Sequence, residues 1–84
     1  MTESELIEIL ELIEEICENS AVPRNVKASL EIIKATFQDE TIELGIKVDS
    51  AMQSIEDLSL DPNLSQFART QIWNLTSLLE SLLK

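Results

Sequence analysis

The sequence predicts an all-α fold, a four-helix up-and-down bundle that forms one domain over residues 1–84. Apolar residues, mostly Leu and Ile, recur at spacings of three and four, which is the period of an amphipathic helix. One glycine, two prolines and no segment of period two leave little material for β-hairpins. In addition, a shift of 42 positions places the apolar stripes of the second half on those of the first.

The two halves match in the class of their residues and not in identity, because Ile13/Ile55 and Glu14/Glu56 are the only identical pairs at this shift. Any two amphipathic helical hairpins in the same register would produce such a match, so the sequence leaves a duplicated hairpin open. The repeat length also fits two stacked HEAT or armadillo units, which measure about 40 to 47 residues. Such stacks need about three repeats to bury a continuous core, which favours a closed bundle over an open stack.

The first helix is predicted at residues 3–18, where Thr2 and Glu5 fit a capping box. The second is predicted at residues 23–38, with Pro23 as its first helical residue, because the missing N–H has no helical partner there. The inward stripe of the first helix is Leu6, Ile9, Leu10, Ile13, Ile16 and Cys17, and that of the second is Val26, Leu30, Ile33 and Phe37.

The third helix is predicted at residues 41–59 and contains Gly45, which costs about 1 kcal/mol relative to Ala. This glycine indicates a close helix crossing or, as we favour, a frayed first turn. Residues 61–63 (Asp-Pro-Asn) break the chain, and the fourth helix is predicted at residues 64–83. The inward stripes are Leu44, Val48, Ala51, Met52, Ile55 and Leu58, then Leu64, Ala68, Ile72, Leu75, Leu79 and Leu82.

The formal charge of -10 is concentrated at the start of the chain, where no Lys or Arg precedes Arg24. Its acidic face consists of Glu8, Glu11, Glu15 and Glu18. Only six Lys and Arg residues argue against direct binding of nucleic acid. The lack of a long apolar run argues against a membrane-spanning helix, and the acidic face argues against binding to a membrane surface. We interpret the stripe as a solvated helix face, with binding of a basic protein partner as the alternative hypothesis.

Catalytic chemistry is scarce in this sequence. The absence of histidine excludes Ser-His-Asp, Cys-His and His-based metal sites, and no glycine-rich phosphate loop is present. The lone Cys17 has apolar and acidic neighbours, which indicates a buried structural residue in a reducing cytoplasm. We therefore predict a protein that is not an enzyme, with no metal, cofactor or small-molecule substrate. A carboxylate-dependent or metal-dependent enzyme is the disfavoured alternative.

Trp73 lies well off the apolar face when the fourth helix is drawn as a wheel. Interface centres are enriched in tryptophan and arginine, and Arg69 precedes Trp73 by one turn. Packing of the ring against its own domain is the alternative. The candidate interface is Trp73, Arg69, Gln66, Thr70, Ser77 and Glu80, with Arg69, Gln71 and Asn74 as a polar rim. The preferred hypothesis is self-association or docking of a protein partner through this helix.

Four segments carry a family resemblance: residues 22–25 (Val-Pro-Arg-Asn), 61–63, 69–74 (Arg-Thr-Gln-Ile-Trp-Asn) and 77–80 (Ser-Leu-Leu-Glu). Over essentially its whole length the chain resembles the short archaeal proteins of uncharacterised protein family 0147. The resemblance implies a cytoplasmic four-helix bundle close to the bromodomain-like arrangement, and it supplies no activity. Ser65 departs from the family, which usually has proline at this position.

Overall fold

The computed structural model describes residues 1–83, which form four α-helices and no strand. The helices are α1 (Glu3–Glu18), α2 (Arg24–Gln38), α3 (Leu44–Ser59) and α4 (Gln66–Ser81). Each packs on the next, and α4 also packs on α1, whereas the diagonal pairs α1–α3 and α2–α4 bring no two Cα atoms within 8 Å of each other in residues 1–83. The predicted all-α four-helix class is confirmed, and the helices close into a ring instead of an open stack.

Three predicted helix starts and one predicted helix end need correction. Pro23 is the N-cap of α2 and not its first helical residue, since its ψ of 148° is extended and its carbonyl accepts the N–H groups of Val26 and Lys27. α3 begins at Leu44 instead of residue 41, with Glu43 as N-cap. α4 spans Gln66–Ser81 and not 64–83, with Ser65 as N-cap.

The three corrected starts have one cause, a turn of the same design at all three connections. Each turn begins with Asn or Asp one or two residues after a helix ends, and its side-chain oxygen accepts the N–H two residues on, as these residues often do in turns. The pairs are Asn19–Ala21 at 2.8 Å, Asp39–Thr41 at 2.9 Å and Asp61–Asn63 at 2.8 Å. The backbone carbonyl of the same Asn or Asp accepts the N–H of the residue three positions later. The residue directly after that N–H donor is the N-cap of the next helix.

Side-chain caps stabilise two of the helix starts. The predicted capping box is confirmed, because the Thr2 N–H donates to Glu5 Oε1 at 2.8 Å and the Glu5 N–H donates to Thr2 Oγ1 at 3.2 Å. Ser65 caps α4, with its hydroxyl accepting the Ala68 N–H at 3.1 Å. This hydrogen bond gives a physical reason for serine at position 65, since a proline there would have no side-chain acceptor.

The core repeats with the same period as the sequence. Every buried apolar residue except Val48 has a buried counterpart 42 positions away. The pairs are Ile9/Ala51, Ile13/Ile55, Ile16/Leu58, Val22/Leu64, Val26/Ala68, Leu30/Ile72, Ile33/Leu75 and Phe37/Leu79. The α1–α2 hairpin and the α3–α4 hairpin therefore contribute equivalent positions to one shared core.

A buried lysine, which the sequence patterns did not single out, joins α2 to α3. Lys47 is only 7% exposed, and its Nζ donates to the carbonyl oxygen of Phe37 at 3.2 Å. That carbonyl lies in the last turn of α2, where helix carbonyls lack helical partners and carry partial negative charge. Lys47 therefore stabilises the end of one helix from the first turn of the next.

Gly45 can be replaced without steric conflict. A Cβ built at Gly45 has no heavy atom within 4 Å, so the close-crossing interpretation is wrong, and the residue lies in the first turn of α3. We expect Gly45→Ala to raise the free energy of unfolding by about 0.5–1 kcal/mol, because alanine loses less backbone entropy on folding. Urea unfolding followed by circular dichroism measures this change, and a destabilised variant would contradict it.

Replacing the Ser65 cap should have the opposite effect. We expect Ser65→Ala to lower the free energy of unfolding by about 1 kcal/mol, since the Ala68 N–H loses its acceptor. Ser77→Ala is the matched control on α4, because Ser77 is exposed and makes no side-chain hydrogen bond within residues 1–83. Equal unfolding midpoints for the two variants in urea would show that the cap contributes nothing.

Candidate functional site

A groove of about 530 Å³ runs along the seam between α3 and α4. Its floor is made of the core residues Ile55, Leu64 and Ile72. The α3 wall consists of Met52, Glu56 and Ser59, and the α4 wall consists of Arg69, Trp73, Thr76 and Glu80. A ligand in this groove would therefore contact apolar side chains of the core between two partly polar walls.

Trp73 is the most prominent side chain of the α4 wall. It is 73% exposed, while its neighbour Ile72 belongs to the buried core. The core-facing positions of α4 are already filled by Ala68, Ile72, Leu75 and Leu79. At this exposure the ring is not packed as a boundary residue against the described part of its own chain.

Arg69 closes one end of the groove and holds the adjoining turn. Its guanidinium donates to the carbonyl oxygens of Ser59 at 3.5 Å and Asp61 at 3.3 Å, at the C-terminus of α3. The Asn25 amide donates to Asp61 Oδ2 at 3.0 Å and lowers the pKa of that carboxyl, and the Asn63 N–H and the Arg69 charge lower it further. Arg69 thus stabilises the turn from which α4 starts.

The structure places some of the other predicted interface residues in the groove and the rest outside it. Glu80 lines the groove together with Trp73 and Arg69. Gln66, Thr70 and Ser77 are exposed on α4 but do not line it. The Asn74 Nδ2 donates to Gln71 Oε1 at 3.0 Å, and neither of these two lines the groove.

Sequence reasoning missed the α3 wall, although a signal for it existed. In the α1–α2 seam, Lys34 Nζ donates to Glu14 Oε1 at 2.9 Å, which raises the pKa of the Lys34 ammonium group. The positions 42 residues later hold Glu56 and Thr76. The Thr76 hydroxyl donates to the Ile72 carbonyl of its own helix at 3.0 Å, so it does not reproduce this link.

The two seams therefore differ although their cores match. The ion pair crosses the α1–α2 seam, and the Cys17 Sγ lies 3.9 Å from the Lys27 carbonyl oxygen as a second crossing contact. Glu31 lies in the first hairpin at the position that corresponds to Trp73. The comparison of the two halves that sets Trp73 against Glu31 also indicates the open seam when it is extended to Lys34 and Thr76.

The predicted acidic face lies elsewhere on the molecule. Glu8, Glu11, Glu15 and Glu18 are all exposed on α1, which is diagonal to α3 in the ring. No cluster of three or more His, Cys, Asp or Glu side chains suited to a metal ion occurs within residues 1–83. In the same range, no helix combines the length and hydropathy needed to cross a bilayer.

The comparisons with known proteins agree with the sequence and the fold. A model of an uncharacterised protein family matches residues 1–82. The chain belongs to UPF0147. A UPF0147 protein of Archaeoglobus fulgidus is 42% identical over 80 residues, covering 95% of this chain and 91% of the relative. One from Methanosarcina mazei is 40% identical over 80 residues, covering 94% and 86%.

A solved structure extends the UPF0147 comparison to three dimensions. The crystal structure of MMP1188, a protein of unknown function, superposes with a TM-score of 0.89 at 37% identity, covering 96% of this chain and 92% of the other. The family description and the names of its archaeal members state no activity.

Cys17 provides a test of local environment. Its side chain is half-buried against the core, and burial raises the pKa of the thiol, with the nearby Glu31 raising it further. A raised pKa means less thiolate at a given pH, so alkylation of the folded protein at about pH 8 should be several-fold slower than in the unfolded chain. Iodoacetamide labelling with and without guanidinium, followed by mass spectrometry, measures both rates. Equal rates would contradict a protected thiol.

Proposed function

We propose that this chain is a non-enzymatic protein-docking module whose α3–α4 groove receives part of a partner protein. The observation that carries this proposal is Trp73, which is 73% exposed at the wall of an open groove. An exposed indole keeps a large apolar surface in water, and removing that surface from water is favourable. Tryptophan residues in such positions supply a large share of the energy of many protein interfaces.

The shape of the groove supports docking of a helix. α3 and α4 are packed neighbours joined by a short turn, and the groove follows their seam. Grooves of this kind accept amphipathic helices, with apolar anchors at spacings of three, four and seven residues. An anchor side chain in the groove would contact Ile55 and Ile72 in the floor, with Trp73 beside it.

One end of the groove is held by contacts inside the chain. Arg69 is fixed by its bonds to the Ser59 and Asp61 carbonyls, and Asp61 is also bonded to Asn25 on α2. Groups that are ordered before binding lose less conformational entropy when a partner arrives. This organisation supports a groove that acts as a preformed binding site.

The chemistry of the groove supports a role without catalysis. Glu56 and Glu80 are its carboxylates, and both are exposed to water. General acid–base catalysis by glutamate depends on burial and neighbouring groups that tune its pKa, and two exposed carboxylates lack that burial. With no histidine in the chain, a carboxylate-dependent enzyme is the weaker hypothesis. A lone thiol fits a reducing compartment, and we propose the cytoplasm.

A second candidate uses the acidic face of α1 to bind a basic protein. It is favoured by the exposure of all four glutamates and by the lack of any Lys or Arg on α1. Reversal of Glu8, Glu11 and Glu15 to lysine would abolish capture of a partner held by this face. The same triple variant should leave a partner held by the α3–α4 groove bound.

The docking proposal is tested by exchanging Trp73 for the residue of the equivalent position in the first hairpin. We expect Trp73→Glu to reduce capture of a partner from native cells by about 30-fold, as removal of a hot spot of about 2 kcal/mol would. Ile32→Glu is the matched control, because Ile32 is 66% exposed on α2, outside the groove. Affinity purification with quantitative mass spectrometry compares wild type and both variants.

Circular dichroism and light scattering complete this experiment. Both variants should keep native helicity, because neither residue belongs to the buried core. Equal capture by the Trp73→Glu variant and wild type would refute the docking proposal. A dimer of the purified chain that is lost in the Trp73→Glu variant would identify a second copy as the occupant.

A further inference from the structure

We propose that the occupant of the α3–α4 groove is a basic amphipathic helix, whose apolar residues enter the groove and whose Lys or Arg pairs with Glu56. This inference rests on the docking function proposed above and specifies the class of partner. It follows from a comparison of the two seams, from the charges that line the groove and from the net charge of the chain.

The first hairpin shows what the second hairpin lacks. Glu14 is paired across its seam by Lys34 at 2.9 Å. Glu56 is the counterpart of Glu14, but the position of Lys34 is taken by Thr76. Thr76 donates its hydroxyl to its own helix and carries no charge. The second seam thus keeps the carboxylate and lacks the cation, so a cation from a partner would complete the same pair.

The charges around the groove favour a cation. The lining residues include two carboxylates, Glu56 and Glu80, and neither forms an ion pair within residues 1–83. The one cation of the lining, Arg69, donates to two backbone carbonyls and lies close enough to Asp61 to lower the pKa of that carboxyl. Approaching Lys or Arg side chains therefore meet acceptors on both walls, whereas an approaching carboxylate meets a guanidinium that is already bonded.

The net charge of the chain argues against a second copy as the occupant. Each chain carries a formal charge of -10, so two copies repel each other as they approach. A basic segment is instead attracted from a distance and oriented by the same field. The groove thus combines an apolar floor, which accepts any amphipathic helix, with a charge pattern that selects a basic one.

The dimensions of the groove fit three helical turns of such a segment. From Arg69 to Glu80 the α4 wall covers eleven residue steps, which is about 16 Å at 1.5 Å per residue. Apolar anchors at positions i, i+3 or i+4 and i+7 span about 10 Å of a partner helix. Two or three anchors therefore fit between the Arg69 end and the Glu80 end.

The test uses three synthetic amphipathic peptides without tryptophan that share Leu anchors and differ only in their flanks, which carry Lys, Gln or Glu. Trp73 is the only tryptophan in the chain, so its fluorescence reports groove binding directly. We expect saturable binding of the Lys peptide with a blue shift of the Trp73 emission, weakened by salt. The Glu peptide should bind at least about tenfold more weakly.

Charge reversal separates a specific pair from general attraction. Glu56→Lys should weaken binding of the Lys peptide about tenfold. Glu8→Lys changes the net charge by the same amount on the α1 face and should leave the affinity within about twofold. Equal weakening by both variants would overturn the assignment to Glu56, as would no saturable binding of the Lys peptide up to about 1 mM.

The outcomes distinguish this inference from the function on which it rests. If the Gln or Glu peptide binds as tightly as the Lys peptide, the basic-helix inference fails and docking in the groove stands. A dimer of the wild-type chain that depends on Trp73 would also overturn it, by identifying a second copy as the occupant. The docking function itself fails only if the Trp73→Glu variant captures partners as well as wild type does.

Discussion

The structure depends on burying four apolar helix faces that none of the helices can shield alone. α1 through α4 each carry one stripe, and ring closure by the contact of α1 with α4 removes all four from water. Three turns of one design make this closure simple, because an Asn or Asp at the start of each turn replaces helical hydrogen bonds with local ones. Each turn also leads directly into the N-cap of the next helix.

Within this ring the two hairpins have equivalent buried positions and different surface positions. Packing constrains the core positions, so Ile13 and Ile55 or Leu30 and Ile72 fill equivalent sites. Surface positions are free of that constraint, and there the second hairpin has Trp73 and Thr76 where the first has Glu31 and Lys34. The second seam therefore lacks the ion pair of the first and carries an exposed aromatic ring. An ion pair at the surface contributes little to stability, so the fold does not depend on a second one.

The family assignment places this chain among proteins that share its fold, and fold alone does not imply function. The functional argument therefore rests on the α3–α4 groove, where the core is reached from outside between Glu56 and Trp73. Arg69 shows how structural and functional roles meet at this site, because its guanidinium stabilises the end of α3 while its side chain lines the groove. A substitution at Arg69 would thus affect the fold and the site together.

The sequence by itself determined the fold class, the bounds of α1, the inward stripes and the position of Trp73 off the apolar face. Local periodicity carries that information, because a helix presents every third or fourth residue to the same side. The predicted starts of α3 and α4 are wrong although their signal is local, since turn hydrogen bonds at Asp39 and Asp61 compete with helical ones. Only the tertiary structure decided that the buried Lys47 bonds the end of α2. It also decided that Trp73 borders a groove with Glu56, because that proximity depends on how two helices pack.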